Sequence, residues 1–370
     1  MVSDLDYSFY RNKRVLVTGA TGFKGSWLCA TLCRLGADVS GYAQPPARES
    51  MFTICGIDKL VSCRYGDIND FDLLYDIFRA AKPEIVIHLA AQPTIREGYA
   101  NPAYTYETNV IGTVNILECM RMTDSVRSFL NVTTDGAFNR FDWPDLYAEK
   151  LTIDNYDPYA VSMSCSELVT KSYTRSYFRN GEPAVSTARN GYVVGGGDFY
   201  GDRTMPEFIR AIKKGRPMQV KNPYAINPYQ YVLDTLNAYL LIAESQYEDA
   251  GAAGLYNIGP AESDYLSAGA FADMLCAHWG EGAAWSVKNG AALNGKNGAA
   301  RQEKSDVLID CSKIMDELNW SPLYNIDETV KHTVEWYKAY LSGDGVNEVI
   351  SRQIDDFVNR MKWSLVSSYH

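Results

Sequence analysis

Three glycines in the spacing Gly19-x-x-Gly22-x-x-Gly25 directly follow the apolar run Val15-Leu16-Val17, and Ser26-Trp27-Leu28-Cys29-Ala30-Thr31-Leu32 reads as helix behind them. Gly19 turns the chain tightly after a strand, and Gly22 lets backbone N–H groups approach a pyrophosphate. Gly25 lets the helix pack on the strand, and the helix N-terminus favours the anion. A glycine turn alone is weak evidence; with a buried strand before it and a helix after it, the stretch reads as a dinucleotide site. Other chemistry-bearing residues sit where apolar runs end. Asp67 closes Arg64-Tyr65-Gly66, placed either to reach an adenine edge or to cap the helix that follows Asn69. Ala90-Ala91 end the buried run Ile85-Val86-Ile87-His88-Leu89 with small side chains, so backbone there can lie close to a ligand. Ser128-Phe129-Leu130-Asn131-Val132 delivers Thr133, Thr134 and Asp135 to its end.

The elements that must position these groups alternate between strand and helix patterns, which implies a parallel sheet wrapped by helices. The second strand runs through Asp38-Val39-Ser40-Gly41-Tyr42 into Ala43-Gln44-Pro45 without the carboxylate that ordinarily holds an adenosine ribose. That position therefore leaves the choice between NAD and NADP open. Asn109 to Glu118 reads as an amphipathic helix. After Ala184 the alternation loosens: Gly195-Gly196-Gly197-Asp198 is a loop, Thr204 to Lys214 a helix, and Pro228 to Asp234 opens a core-like helical run. Lys288 to Ala300, rich in Gly, Ala and Asn, reads as a loop, and a helix from Asp327 through Leu341 closes a smaller C-terminal portion. The expected organisation is a cofactor domain over 10–188 plus about 225–260, and a substrate domain over about 189–224 plus 261–345.

Composition removes several classes. A chain of 370 residues, 46% hydrophobic, can bury a large core. Its formal charge of -10 argues against nucleic acid as the main partner, because phosphate backbones need a basic surface. No apolar run approaches the length that spans a bilayer, and Met1-Val2-Ser3-Asp4 does not begin a secretion signal. The eight cysteines are scattered without a C-x-x-C pair, and Cys29, Cys33 and Cys119 fall in apolar helical patterns; they read as reduced residues of a cytoplasmic protein. The four histidines show no metal-ligand spacing.

Taken together, VTGATGFKGSWL, PEIVIHLAAQPTIR, TYETNVIGTVNILE, NVTTD, YDPYAVSMSCSELV, VVGGGD, IDCSK and LNWSP resemble the extended short-chain dehydrogenase/reductases, and within them the CDP-D-glucose 4,6-dehydratases. The resemblance runs from Phe9 to about Trp336. It implies an α/β fold, a Rossmann-type doubly wound parallel sheet with a smaller α/β C-terminal substrate domain, an NAD cofactor, a CDP-hexose substrate and a homodimer made through paired helices. It also implies cofactor contacts from Gly19, Thr21, Gly22, Phe23, Lys24, Gly25, Asp67, Ile68, Leu89, Ala90, Ala91, Asn109, Thr133 and Tyr159. Substrate contacts are implied for Gln92, Arg96, Tyr192, Arg203, Asn227 and Arg301. In such enzymes hydride leaves sugar C4 for the cofactor, water is lost across C5 and C6, and hydride returns to C6.

Three departures bear on that chemistry. The tyrosine that takes the C4 proton ordinarily has a lysine one helical turn on, which lowers its pKa. Here Tyr159-Ala160-Val161-Ser162-Met163 puts a thioether at that place, so Tyr159 is expected to titrate nearer its ordinary value of about 10. Lys171, eight residues beyond Met163, is over two helical turns away. Thr134 can still bond the C4 oxygen and Asp135 can still protonate the departing C6 hydroxyl, but Gly136 stands where the family has a residue that takes the C5 proton. Tyr192 and Asn227 replace an asparagine and an arginine near the substrate phosphates, leaving Arg203 and Arg301 as compensating candidates. The readings that follow are a 4,6-dehydratase, a C4 oxidoreductase or epimerase that omits the elimination, or a silent paralogue that binds NAD and a nucleotide sugar.

Overall fold

A computed structural model describes residues 8–135, 156–178, 182–201, 203–288 and 307–367, with side chains to Met361. Gly136, Arg301 and the stretch from 289 to 300 lie outside the described residues. The expected parallel sheet is present. Its first strands are β1 (Arg14–Thr18), β2 (Asp38–Ala43), β3 (Ser62–Tyr65), β4 (Ile85–His88), β5 (Ser128–Thr134) and β6 (Ala184–Asn190). Later come β7 (Val193–Val194), β8 (Met218–Val220), β9 (Ile226–Asn227), β10 (Gln230–Tyr231), β11 (Leu255–Ile258), β12 (Leu266–Ser267) and β13 (Trp285–Val287). The main sheet runs in the order β11-β6-β5-β4-β1-β2-β3, with every neighbouring pair parallel. Chain direction across the sheet reverses between β1 and β4, and that switch point opens a crevice at the carboxyl ends of the strands. β7–β10, β8–β13 and β9–β12 form three small two-stranded sheets.

The sheet is held by burial on both faces. Val15, Leu16 and Val17 of β1 and Ile85, Val86 and Ile87 of β4 are buried without exception, as expected for parallel strands covered by helices. Trp27 and Leu28 of helix Phe23–Arg34 cover one face together with helix Val232–Glu248. Every residue from Val232 to Tyr247 is buried, so that helix threads through the core instead of lying on it. Gln246 ties it to the strands: it donates to Ser128 Oγ (2.8 Å) and Phe129 O (3.0 Å) and accepts from Ser186 Oγ (2.5 Å).

Three elements depart from the sequence reading. The helix expected from Asn109 begins at Pro102 and passes through a π-helical turn at Glu107–Ile111 before Gly112–Arg121. After Ala184, where the sequence alternation loosens, β6 and later β11 extend the sheet. All seven residues of β6 are buried although Ser186, Thr187, Arg189 and Asn190 are polar, which masked its apolar signature. A terminal helix, Val346–Ser367, packs on helix Ile326–Ser342 through Val349, Ile350, Ile354 and Phe357. Tyr231 and Arg360 fasten it through bonds to Gln353 (3.0 Å) and Glu328 (2.8 Å).

Candidate active site

The glycine corner has the shape that its spacing demands. Gly19 sits at φ +70, where an added Cβ would lie 2.8 Å from Ala90 N and from Leu89 C, backbone atoms at the exit of β4. An added Cβ on Gly25 would lie 2.1 Å from Gly19 O. Gly22 is the exposed N-cap of helix Phe23–Arg34 and makes no side-chain cap bond, which leaves the helix end open. Thr18 Oγ1 receives Leu89 N (3.2 Å) and Ala90 N (3.3 Å), tying the corner to β4. Thr21 donates to Gln44 O (3.0 Å), tying it to β2. This cradle fits a dinucleotide pyrophosphate: an open helix N-terminus, and two positions at which only glycine fits.

Asp67 is not a helix cap. Asp70 performs that task, accepting from Leu73 N at 3.1 Å. Asp67 instead turns its carboxylate toward the end of β2, where Gln44 Nε2 donates to Oδ2 (3.1 Å) and Asn69 N to Oδ1 (2.9 Å). The segment after β3 thus brings a carboxylate to the end of β2, a spatial relation the linear sequence hides. Ile68 packs under Gly112, whose added Cβ would lie 2.6 Å from Ile68 Cγ2. Asn109 holds the loop after β4 through Gln92 N (2.8 Å) and Gln92 O (3.1 Å), and donates to Ser162 Oγ (2.8 Å).

Helix Pro158–Ser176 opens with Asp157 accepting from Ala160 N at 2.8 Å and Pro158 in its first turn. Tyr159 therefore leaves the first turn, where its hydroxyl meets Thr134, and Thr134 Oγ1 donates to Asp135 Oδ1 at 3.0 Å. The three residues named as catalytic candidates form one hydrogen-bonded group at the end of β5. Met163 is buried and Lys171 is exposed, so neither brings a cation to Tyr159. The expectation of an ordinary Tyr159 pKa does not hold. Burial raises it, Asp135 and Asp157 add to the rise, and the Thr134 bond and Arg203 oppose it.

Lys24 does not turn toward the corner's N–H groups. Its ammonium donates to Asn190 Oδ1 (3.1 Å) and Tyr239 Oη (3.2 Å), and burial lowers its pKa to about 7, with repulsion from Arg203 adding to the fall and Asp135 opposing it. Among the phosphate candidates, Arg203 pairs with Asp198 at 3.2 Å. Asn227 is buried and spent on Ala225 O (3.2 Å) and Tyr229 Oη (3.3 Å), Tyr192 packs edge-on against Tyr229, and Arg96 is exposed at the start of helix Ile95–Ala100. Gln92 donates to Thr105 Oγ1 at 2.8 Å, so its amide supports the loop. Sequence reasoning missed the buried pair Glu167–Arg189 (2.5 Å), which also receives Thr133 Oγ1 at 2.7 Å and fixes the end of β5. The register of β5 with β6 sets Thr133 beside Arg189, and the packing of helix Pro158–Ser176 on both strands brings Glu167 to them.

The family model described as GDP-mannose 4,6 dehydratase matches residues 16–333. The chain belongs to that family. Among its relatives, the CDP-glucose 4,6-dehydratase of Salmonella typhimurium is 36% identical over 362 residues, covering 96% of this chain and 99% of that protein. Solved structures share the family fold. The dTDP-glucose 4,6-dehydratase of Bacillus anthracis in complex with NAD superposes with a TM-score of 0.70 at 18% identity, covering 88% of this chain and 96% of the other. The UDP-glucuronic acid 4-epimerase of Bacillus cereus, in complex with UDP-glucuronic acid and NAD, gives 0.74 at 20% identity, covering 88% and 99%. No helix among the described residues is long and apolar enough to cross a membrane.

Proposed function

We propose that this chain is an NAD-dependent nucleotide-sugar enzyme of the 4,6-dehydratase type, acting in the cytoplasm on a CDP-hexose. The observation that carries the reading is the Tyr159–Thr134–Asp135 group, hydrogen-bonded at the end of β5 across the switch point from the glycine corner. Membership in a dehydratase family, and the 36% identity to a CDP-glucose 4,6-dehydratase, support it. NAD, when bound, accepts a hydride from the sugar and returns it. Gly19, Gly22 and Gly25 would hold its pyrophosphate, with Thr21 and Phe23 beside them, while the Lys24 side chain leaves the corner for Asn190 and Tyr239. Asp67 and Ile68 bound the adenosine end, and Leu89, Ala90, Ala91, Asn109 and Thr133 form the wall toward the reacting sugar.

Tyr159 takes the proton of the C4 hydroxyl while Thr134 orients the C4 oxygen. Asp135 hands a proton to the C6 hydroxyl as it leaves as water. Gln92, Arg96, Tyr192, Arg203, Asn227 and Arg301 are assigned to the substrate side. The division into a cofactor domain and a substrate domain belongs to the same reading, as does a homodimer. Exposed Tyr99, Ile111 and Leu168, on helices that contact one another, support pairing of two copies. Gly136, with no side chain to take the C5 proton, favours one second reading: oxidation at C4 without elimination. Incubation with NAD and CDP-glucose decides between them. Alkaline ultraviolet absorbance of a 4-keto product supports dehydration; interconversion at C4 with no such product supports the second reading.

A further inference from the structure

Lys24 is a cation set into the reacting end of the crevice, and no step above uses it. It starts in the first turn of helix Phe23–Arg34, yet its side chain crosses to Asn190 Oδ1 (3.1 Å) and Tyr239 Oη (3.2 Å). Tyr239 itself hydrogen-bonds Asn190. Asn190 is the register partner of Thr134 across β5 and β6, so the ammonium is anchored one strand from the hydroxyl that bonds Tyr159. The next residue, Gly191, lies against the same group: a Cβ there would be 3.5 Å from Asp135 Oδ2. Tyr239 is also within electrostatic reach of Tyr159.

Arg203 is the cation that acts on Tyr159 directly, and its guanidinium is paired with Asp198. Lys24 reaches the group through Asn190 and Tyr239 and is itself within electrostatic reach of Asp135. Asp135 and Asp157 are the carboxylates that oppose ionisation of Tyr159. The direct bonds of the Lys24 ammonium go to an amide oxygen and a phenol, so its charge is not cancelled by a salt bridge at the bond itself. A buried, partly desolvated ammonium acts on a nearby phenolate far more strongly than one in water.

We propose that Lys24 is a positioning residue of the reaction: from the cofactor corner, through the Tyr239 hydroxyl, it supplies beside Tyr159 the positive charge that Met163 does not. The inference rests on the reading of Tyr159 as the C4 base. It explains how a site with a thioether one helical turn after its tyrosine retains a working phenol. The burial that shifts the ammonium toward neutrality is offset whenever a phenolate forms nearby.

The test compares wild type, Lys24→Met, and Lys24→Met combined with Met163→Lys, using CDP-glucose and NAD in single-turnover cofactor reduction across pH. Lys24→Met is expected to slow reduction about tenfold or more and to move the rising limb of the profile alkaline by about one pH unit, the low end for loss of a neighbouring opposite charge. NAD affinity should stay nearly constant, and Met163→Lys should restore most of the rate. A profile that keeps its midpoint, or a loss that follows NAD affinity and resists Met163→Lys, overturns the proposal and makes Lys24 a cofactor ligand or a packing group. A second arm needs no substrate: Tyr159 is followed by NMR of carbon-labelled tyrosine and assigned with Tyr159→Phe. An unchanged ionisation midpoint in Lys24→Met overturns the proposal even where wild type reduces no cofactor; a raised midpoint supports the charge role, and absent turnover then counts against the enzymatic reading alone.

Discussion

Replacing Gly22 and Gly25 one at a time by alanine separates what the glycine corner does for the fold from what it does for a ligand. At Gly25 the added methyl carbon would sit 2.1 Å from Gly19 O and 2.8 Å from Ala20 Cα, both backbone atoms. Neither can move without parting helix Phe23–Arg34 from β1, so Gly25→Ala should cost about 3 kcal/mol or more, the upper end of overpacking. At Gly22 the backbone is extended (φ -74, ψ 173) and the nearest atom to an added Cβ is Gly19 O at 3.2 Å. Gly22→Ala should therefore cost only about 0.5–1 kcal/mol, as for a poorer N-cap. The methyl group would nonetheless stand over the open helix end. Loss of one charge-assisted backbone bond to a phosphate, worth about 1.5–3 kcal/mol, corresponds to a roughly 10- to 100-fold rise in Kd. Thermal unfolding and NAD titration of the two variants provide the assay. The prediction is a Gly22→Ala protein that melts close to wild type and binds NAD poorly, beside a Gly25→Ala protein that melts far lower. If Gly22→Ala binds NAD as wild type does, the pyrophosphate does not lie at that helix end and the reasoning fails.

Tyr159→Phe removes the hydroxyl that bonds Thr134 and should lower cofactor reduction by about 10²–10⁴-fold with NAD affinity unchanged; binding and single-turnover measurements check both halves. Glu167→Gln leaves the buried Arg189 without its full counter-charge and should destabilise by about 3–5 kcal/mol in denaturant unfolding, whereas a change below about 1 kcal/mol would show that the pair does not hold helix Pro158–Ser176 to β6. Asp234 is buried at the start of helix Val232–Glu248, and although Leu323 N and Tyr324 N bond its carboxylate, burial raises its pKa to about 7. A raised folded-state pKa favours the protonated form, so this group's contribution is full below about pH 4 and falls as pH rises to about 7, by at most about 4 kcal/mol. Asp234→Asn should therefore flatten the loss of stability between about pH 4 and 7, read from melting at each pH; an unchanged slope would refute it.

Much of this architecture was legible in the chain because its signals are local. The corner, β4, and helices Thr204–Lys213 and Ile326–Ser342 each declare themselves within a short window, through glycine spacing, continuous apolar runs or helical periodicity. β6 was not legible, because Arg189 and Ser186 are polar residues whose partners, Glu167 and Gln246, lie on other elements. The ionisation of Tyr159 was misjudged for a related reason: the missing ammonium is visible in Tyr159-x-x-x-Met163, but the burial that dominates is set by the packed surroundings. The family resemblance places Lys24 among the cofactor contacts. Its ammonium is placed by Asn190 and Tyr239, far along the chain, and only the assembled sheet reveals that.

The account depends on a pyridine dinucleotide held at the Gly19–Gly25 corner within reach of Tyr159 and Thr134. Equilibrium dialysis of the purified chain against NAD and NADP, with denatured extracts checked for retained cofactor, measures this directly. The account predicts retained NAD, or capture with a Kd at or below about the micromolar range. Protein that is folded by thermal melting yet neither retains nor captures either dinucleotide would contradict it.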